Sequence, residues 1–142
     1  MRLSDFHAQI QSVQSEAHEF EVQIAQVDST PGDDIDVHLS EIGWVALDHE
    51  AGQARLYPRS AVTASTPDEP IPTLEELRWR LPYDETGDSN PLILAELPLD
   101  REGPGWIRTT LELIQHVHVG RESREVWLLV GPKDAFGDIL PA

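Results

Sequence analysis

The chain has 142 residues, 39% of them hydrophobic, with 26 acidic against 10 basic side chains and a formal net charge of -16. This length and apolar content suit one folded domain with its own core and exclude a disordered composition. The charge repels nucleic-acid phosphate and anionic lipid, so neither direct nucleic-acid binding nor membrane-surface binding is expected.

Phe6, Ile10, Val13 and Ala17 recur at helical spacing, which predicts a first helix from about Ser4, its expected cap, to Ala17. Phe20, Val22 and Ile24 then alternate with Glu19, Glu21 and Gln23, the period of a strand with one buried face. After a loop at Pro31 and Gly32, Ile35, Val37 and Leu39 alternate in the same way and predict a second strand. Trp44–Asp48 and Gln53–Tyr57 read as a hairpin closed by His49–Gly52, where Gly52 can take positive φ. That register sets Val45 and Leu47 against Leu56 and Ala54, and Trp44 against Tyr57.

A connector over about 58–72 holds Pro58, Pro67, Pro70 and Pro72 and cannot supply a ladder of backbone donors. Thr73-Leu74-Glu75-Glu76 is a capping box that opens a short central helix, with Leu74, Leu77 and Leu81 as its apolar stripe and Pro82 as its stop. Trp79 lies opposite that stripe. Leu92–Leu97 reads as a strand. Ile107, Thr109, Leu111, Leu113, Val117 and Val119 occupy alternate positions, which predicts one long strand with those residues on the core face. Arg124–Val130 returns after a loop at Gly120–Ser123. The register then pairs Leu113 with Val130 and Val117 with Val126 on the core face. It pairs Ile114 with Leu129, His116 with Trp127 and His118 with Glu125 on the other.

No internal repeat is visible. The expected fold class is α+β in a single domain, 1–142: an N-terminal helix, an antiparallel β-meander, a short central helix and a long C-terminal β-hairpin. Such a sheet can close part-way into a barrel.

His116-Val117-His118 followed by Glu122 places two imidazoles on one strand face with a carboxylate nearby, a donor set suited to a first-row metal. The spacing is similar to the first half of the cupin metal signature, but no second motif follows in the remaining twenty residues. The expectation is therefore no metal, with His116, His118 and Glu122 as the alternative ligands. No motif calls for a cofactor, and no cysteine offers a thiolate. No nucleophile elbow, phosphate loop or metalloprotease helix is present, so no catalytic residue is assigned.

Off the expected core faces lie Trp44, Arg55, Tyr57, Trp79, Ile114, His116 and Trp127. Trp, Tyr and Arg dominate interface energies, which makes these the candidate binding surface. The expected function is a non-catalytic acidic protein-binding module, of inhibitor, immunity, adaptor or secretion-chaperone type. Its partner would be another protein with a neutral or basic surface, and homo-oligomerisation is left open. Two alternatives stand beside it: an acidic nucleic-acid mimic that blocks a DNA-binding protein, and a metal-binding protein or enzyme using His116 and His118. The N-terminus opens on a polar stretch and no apolar run approaches membrane-spanning length, so the expected location is cytoplasmic.

Overall fold

The computed structural model describes residues 1–13, 15–29, 35–48, 50–58, 72–83, 90–98, 109–120 and 122–131. The connector at 59–71 and Ile107 lie outside the described residues. Helix α1, Leu3–Ser12, buries Leu3, Phe6 and Ile10, the stripe that a 3.6-residue period puts on one side. It starts before Ser4: Arg2 occupies the cap position with extended backbone, and the Asp5 carboxylate accepts the Arg2 N–H at 3.2 Å. It also ends early. Ala17 reaches the core from a separate 3-10 turn, Ser15–Glu19.

Helix α2, Leu74–Arg80, is capped as its sequence specifies, with Thr73 Oγ1 accepting the Glu76 N–H at 3.2 Å. Leu74, Leu77 and Leu81 are fully buried.

The strands are β1 (Glu21–Ser29), β2 (Ile35–Asp48), β3 (Gln53–Pro58), β4 (Leu92–Pro98), β5 (Thr109–Leu113), β6 (His116–Gly120) and β7 (Glu125–Val130). They form one sheet in the order β5-β4-β3-β2-β1-β7-β6. Four neighbouring pairs are antiparallel, but β1 runs parallel to β7 and β3 parallel to β4. The sheet is thus mixed, not the antiparallel meander expected from chain order. Parallel partners need distant segments, and such pairings leave no local pattern to read.

The sheet curls at two places. In β2, Ile35–Glu41 pair with β1 and Ile42–Asp48 with β3, with a register shift between Ile42 and Trp44. Gly43 sits at that shift, where a residue without a side chain lets the strand bend. At the other place the expected long strand is broken. Thr109–Leu113 pair with β4 and His116–Gly120 with β7, so the C-terminal hairpin is only β6–β7. β5 and β6 are the two edges of the sheet, yet they are joined by Ile114 and Gln115 alone. Leu113 and His116 are three Cα steps apart, so the edges meet within about 11 Å at that corner.

The result is a half-barrel. Both helices pack with its inner face in one core that includes Phe6, Ile10, Val22, Ile24, Ile42, Leu56, Leu77, Ile93, Ile114 and Leu128. No polar or charged residue is buried among the described residues. On the opposite face, Ala25, Val27 and Leu129 form a smaller cluster with Val37 and Trp127.

Backbone bonds lace the helix starts to the sheet. The Leu3 N–H donates to Pro91 O at 2.9 Å and the Ile93 N–H to Met1 O at 3.0 Å. The Leu74 N–H donates to Phe20 O, and the Val22 N–H to Pro72 O, both at 3.0 Å. The element order is helix, strand, bent strand, strand, and then helix, strand, a strand broken into β5 and β6, and strand.

Candidate protein-binding surface

The seven residues expected to form an exposed surface do not share a face. Trp44 and Tyr57 are partners across β2–β3, in the register read from the sequence, and stack with ring centroids 5.0 Å apart and planes at 24°. Alternation puts them on the side away from buried Leu56 and Ala54, where both are half-buried. Arg55 is beside them, its Nε donating to Gln53 Oε1 at 3.0 Å.

The C-terminal hairpin is shifted by two residues from the expected register. His118, not His116, faces Trp127, with centroids 5.8 Å apart, and His116 is opposite Leu129. The Trp127 indole N–H donates to Glu125 Oε2 at 3.0 Å, so Glu125 holds the indole and not His118. The cause is the turn. Arg124 takes φ 56°, a left-handed conformation that ends the turn one residue later than expected, and β7 begins at Glu125. Ile114 leaves the list altogether, because it is fully buried in the core at the β5–β6 corner.

His116 and His118 do project from the same side of β6, and Glu122 lies exposed in the following turn. Among the described residues no group of three His, Asp or Glu is placed to hold a metal ion. Burial lowers the pKa of both imidazoles, and the charge of His116 lowers that of His118 further. Both therefore resist protonation when folded. Below the ordinary histidine value of about 6.5 the unfolded chain takes up protons that the folded chain does not, so folding stability falls as pH drops through the lowered values. A His116→Gln/His118→Gln chain is expected to lose less stability than the parent between pH 7 and 5 in urea titrations. Equal losses would show that the pair does not titrate as described.

Trp79 stands apart. It is 73% exposed, the most exposed large hydrophobic residue among those described. It is nonetheless held in place: its Nε1–H donates to Glu75 Oε1 at 3.0 Å, and the Arg78 guanidinium lies 5.8 Å over its ring. The same carboxylate accepts Arg78 Nη2 at 2.5 Å, while Glu75 Oε2 is 3.2 Å from His18 Nδ1. Partial burial pushes the Glu75 carboxyl up, but the Arg78 hydrogen bond and charge, the indole N–H and His18 outweigh it and hold it below the ordinary value. Glu75 therefore stays ionised and fixes three neighbours.

Beside the indole lies a cleft of about 320 Å³, lined by His7 from α1 and by Arg78, Trp79, Pro82 and Tyr83. The His7 Nε2–H donates to Leu81 O at 2.6 Å, which fixes the ring between the two helices, 6.0 Å from that of Tyr83. The 3-10 turn packs against α2 and carries Glu16 and Glu19, both exposed. An aromatic-lined cleft with a presented indole can take up an apolar side chain. Trp79 was legible from its place opposite the leucine stripe; His7 and Tyr83 were not, because only the packing of α1 beside α2 brings them to it.

Comparison of the chain with known protein families, with curated proteins and with solved structures found no match. No helix among the described residues is long and apolar enough to cross a membrane.

Proposed function

We propose that this protein is a non-catalytic acidic module that binds another protein through the α1–α2 end, with Trp79 as the anchor. The observation that carries this reading is an indole that is exposed yet fixed at its N–H by Glu75 and across its face by Arg78. Water is not where a large apolar ring gains most, and a ring already held loses little further entropy when a partner covers it. The -16 charge of the chain favours a partner with a neutral or basic surface.

The test is capture of partners from the native host on immobilised protein at low and high salt, with the parent and with Trp79→Ala. Trp79 is on the surface, so its removal should change stability by about 1 kcal/mol or less. As a central interface residue it should weaken partner binding by about 2 kcal/mol, roughly thirtyfold. A salt-resistant partner retained by the parent and lost by Trp79→Ala supports the proposal. Retention of the same partners by Trp79→Ala sinks it. Capture only of basic DNA-binding proteins, abolished by salt, favours the mimic of nucleic acid instead.

A further inference from the structure

The four backbone bonds that lace helix starts to strands form two identical sets. Leu3 to Pro91 corresponds to Leu74 to Phe20, and Ile93 to Met1 corresponds to Val22 to Pro72, each atom replaced by one 71 positions away (74 - 3 = 71; 93 - 22 = 71). The isolated bridges Arg2 with Leu92 and Glu21 with Thr73 are related by the same offset (73 - 2 = 71; 92 - 21 = 71). From the bent strands onward the offset is 72: Trp44 pairs with Tyr57 as His116 pairs with Leu129 (116 - 44 = 72; 129 - 57 = 72). The left-handed turn residues Gly52 and Arg124 obey it too (124 - 52 = 72). The parallel pairs close the set, since Gln53 with Leu92 maps onto Glu125 with Glu21.

The core repeats position by position. Leu3, Phe6 and Ile10 match Leu74, Leu77 and Leu81; Val22 matches Ile93; Ile42 matches Ile114; Ala54 and Leu56 match Val126 and Leu128; all are buried. Even the exposed leucines Leu39 and Leu111 are counterparts. Identical residues survive at Leu3/Leu74, Leu39/Leu111, Ile42/Ile114, Val45/Val117 and Leu56/Leu128.

We infer that the chain is a two-fold dimer written in one polypeptide: residues 1–58 and 72–130 are two copies of one unit of a helix and three strands, the bent middle strand being continuous as β2 in the first and broken into β5 and β6 in the second, and the surface each completes is that of another copy of itself. Each unit lends its helix and first strand to the other. β1 lies parallel to β7 and α2 starts against β1, while β4 lies parallel to β3 and α1 starts against β4. A lone unit would keep its own strand pairings but bare one edge of its first strand, one edge of its last strand and its helix start, and each of these is met here by the equivalent part of the other unit, so the matching surface belongs to a second unit and not to an unrelated protein.

Residues 59–71 lead from β3 to the second unit, and residues 131–142 follow β7 in the sequence as that connector follows β3. Exchanging the order of the units is the experiment: residues 72–142 fused directly to 1–71, with an initiator Met. The exchanged chain is expected to match the parent's mass by light scattering, to show the parent tryptophan emission, and to unfold within about 1 M urea of the parent midpoint. A companion carries a short Gly/Ser linker at the new joint, in case the direct joint is too tight. Failure of both chains to fold, or a midpoint lowered by more than about 2 M in both, would overturn the inference.

Discussion

Gly131→Ala is expected to lower stability by roughly 2–4 kcal/mol, a large effect for a single methyl group. Gly131 follows β7 with φ 129°, a region that side chains rarely enter. A Cβ there would fall on the carbonyl oxygen of Val27, deep inside van der Waals contact, and 3.3 Å from the carbonyl carbon. Val27 belongs to β1, is fully buried, and sits one step beyond the Gln26–Val130 pair that ends the parallel ladder. The obstacle is backbone, so relief requires β1 and β7 to part at their shared end. Gln115 would be disturbed too, because its Nε2 donates to Gly131 O at 2.5 Å and so ties the β5–β6 corner to the same point. Gly52→Ala is the internal control. Gly52 also has positive φ, 64°, but its Cβ would meet nothing within 4 Å, so only backbone strain of about 1 kcal/mol is expected. Urea midpoints at unchanged slope should rank parent, Gly52→Ala, Gly131→Ala in descending order. An equal cost for the two glycines would mean that β1 and β7 do not approach as closely at Gly131 as described.

The two hairpins show why one register could be read from sequence and the other not. At β2–β3 the turn ends on a glycine with positive φ, so the residue type marks the conformation and the pairing follows, Trp44 on Tyr57 included. At β6–β7 the same turn position is Arg124, which a sequence reader has no reason to place in the left-handed region. Its 5.6 Å contact with the Phe20 ring accompanies that conformation and comes from the far side of the chain. The resulting shift was an even number of residues, so each side chain of β6 and β7 kept its face but changed its partner. The two parallel pairings were out of reach for a different reason: their partners are separated by the whole of a helix or by most of the chain. The candidate site divides in the same way. Trp79 follows from helical periodicity alone, whereas the cleft beside it exists only because two helices from distant parts of the chain share one core.

The break at Ile114–Gln115 gives the second large prediction, because it inverts the roles of two neighbours. Strict alternation along 107–119 puts Leu113 in the core and Ile114 outside. In the fold Leu113 is 38% exposed and pairs with Leu94 on β4, while Ile114 is fully buried. The chain leaves one sheet edge and joins the other within two residues, and the side chain that turns inward at the corner is the one that fills it. Ile114 is also anchored by its backbone: its N–H donates to Ile93 O at 3.0 Å and its carbonyl accepts the Met1 amine. Ile114→Ala should therefore cost about 2–5 kcal/mol, the range for emptying a buried aliphatic site. Leu113→Ala, losing a half-covered side chain at an edge strand, should cost about 1 kcal/mol or less. An uninterrupted strand predicts the reverse order. Because both substitutions remove similar volume one residue apart, differences in propensity or expression largely cancel, and the order of the two urea midpoints reports which side chain points inward. A midpoint for Leu113→Ala below that of Ile114→Ala would restore the uninterrupted strand and remove the corner at which the two sheet edges meet.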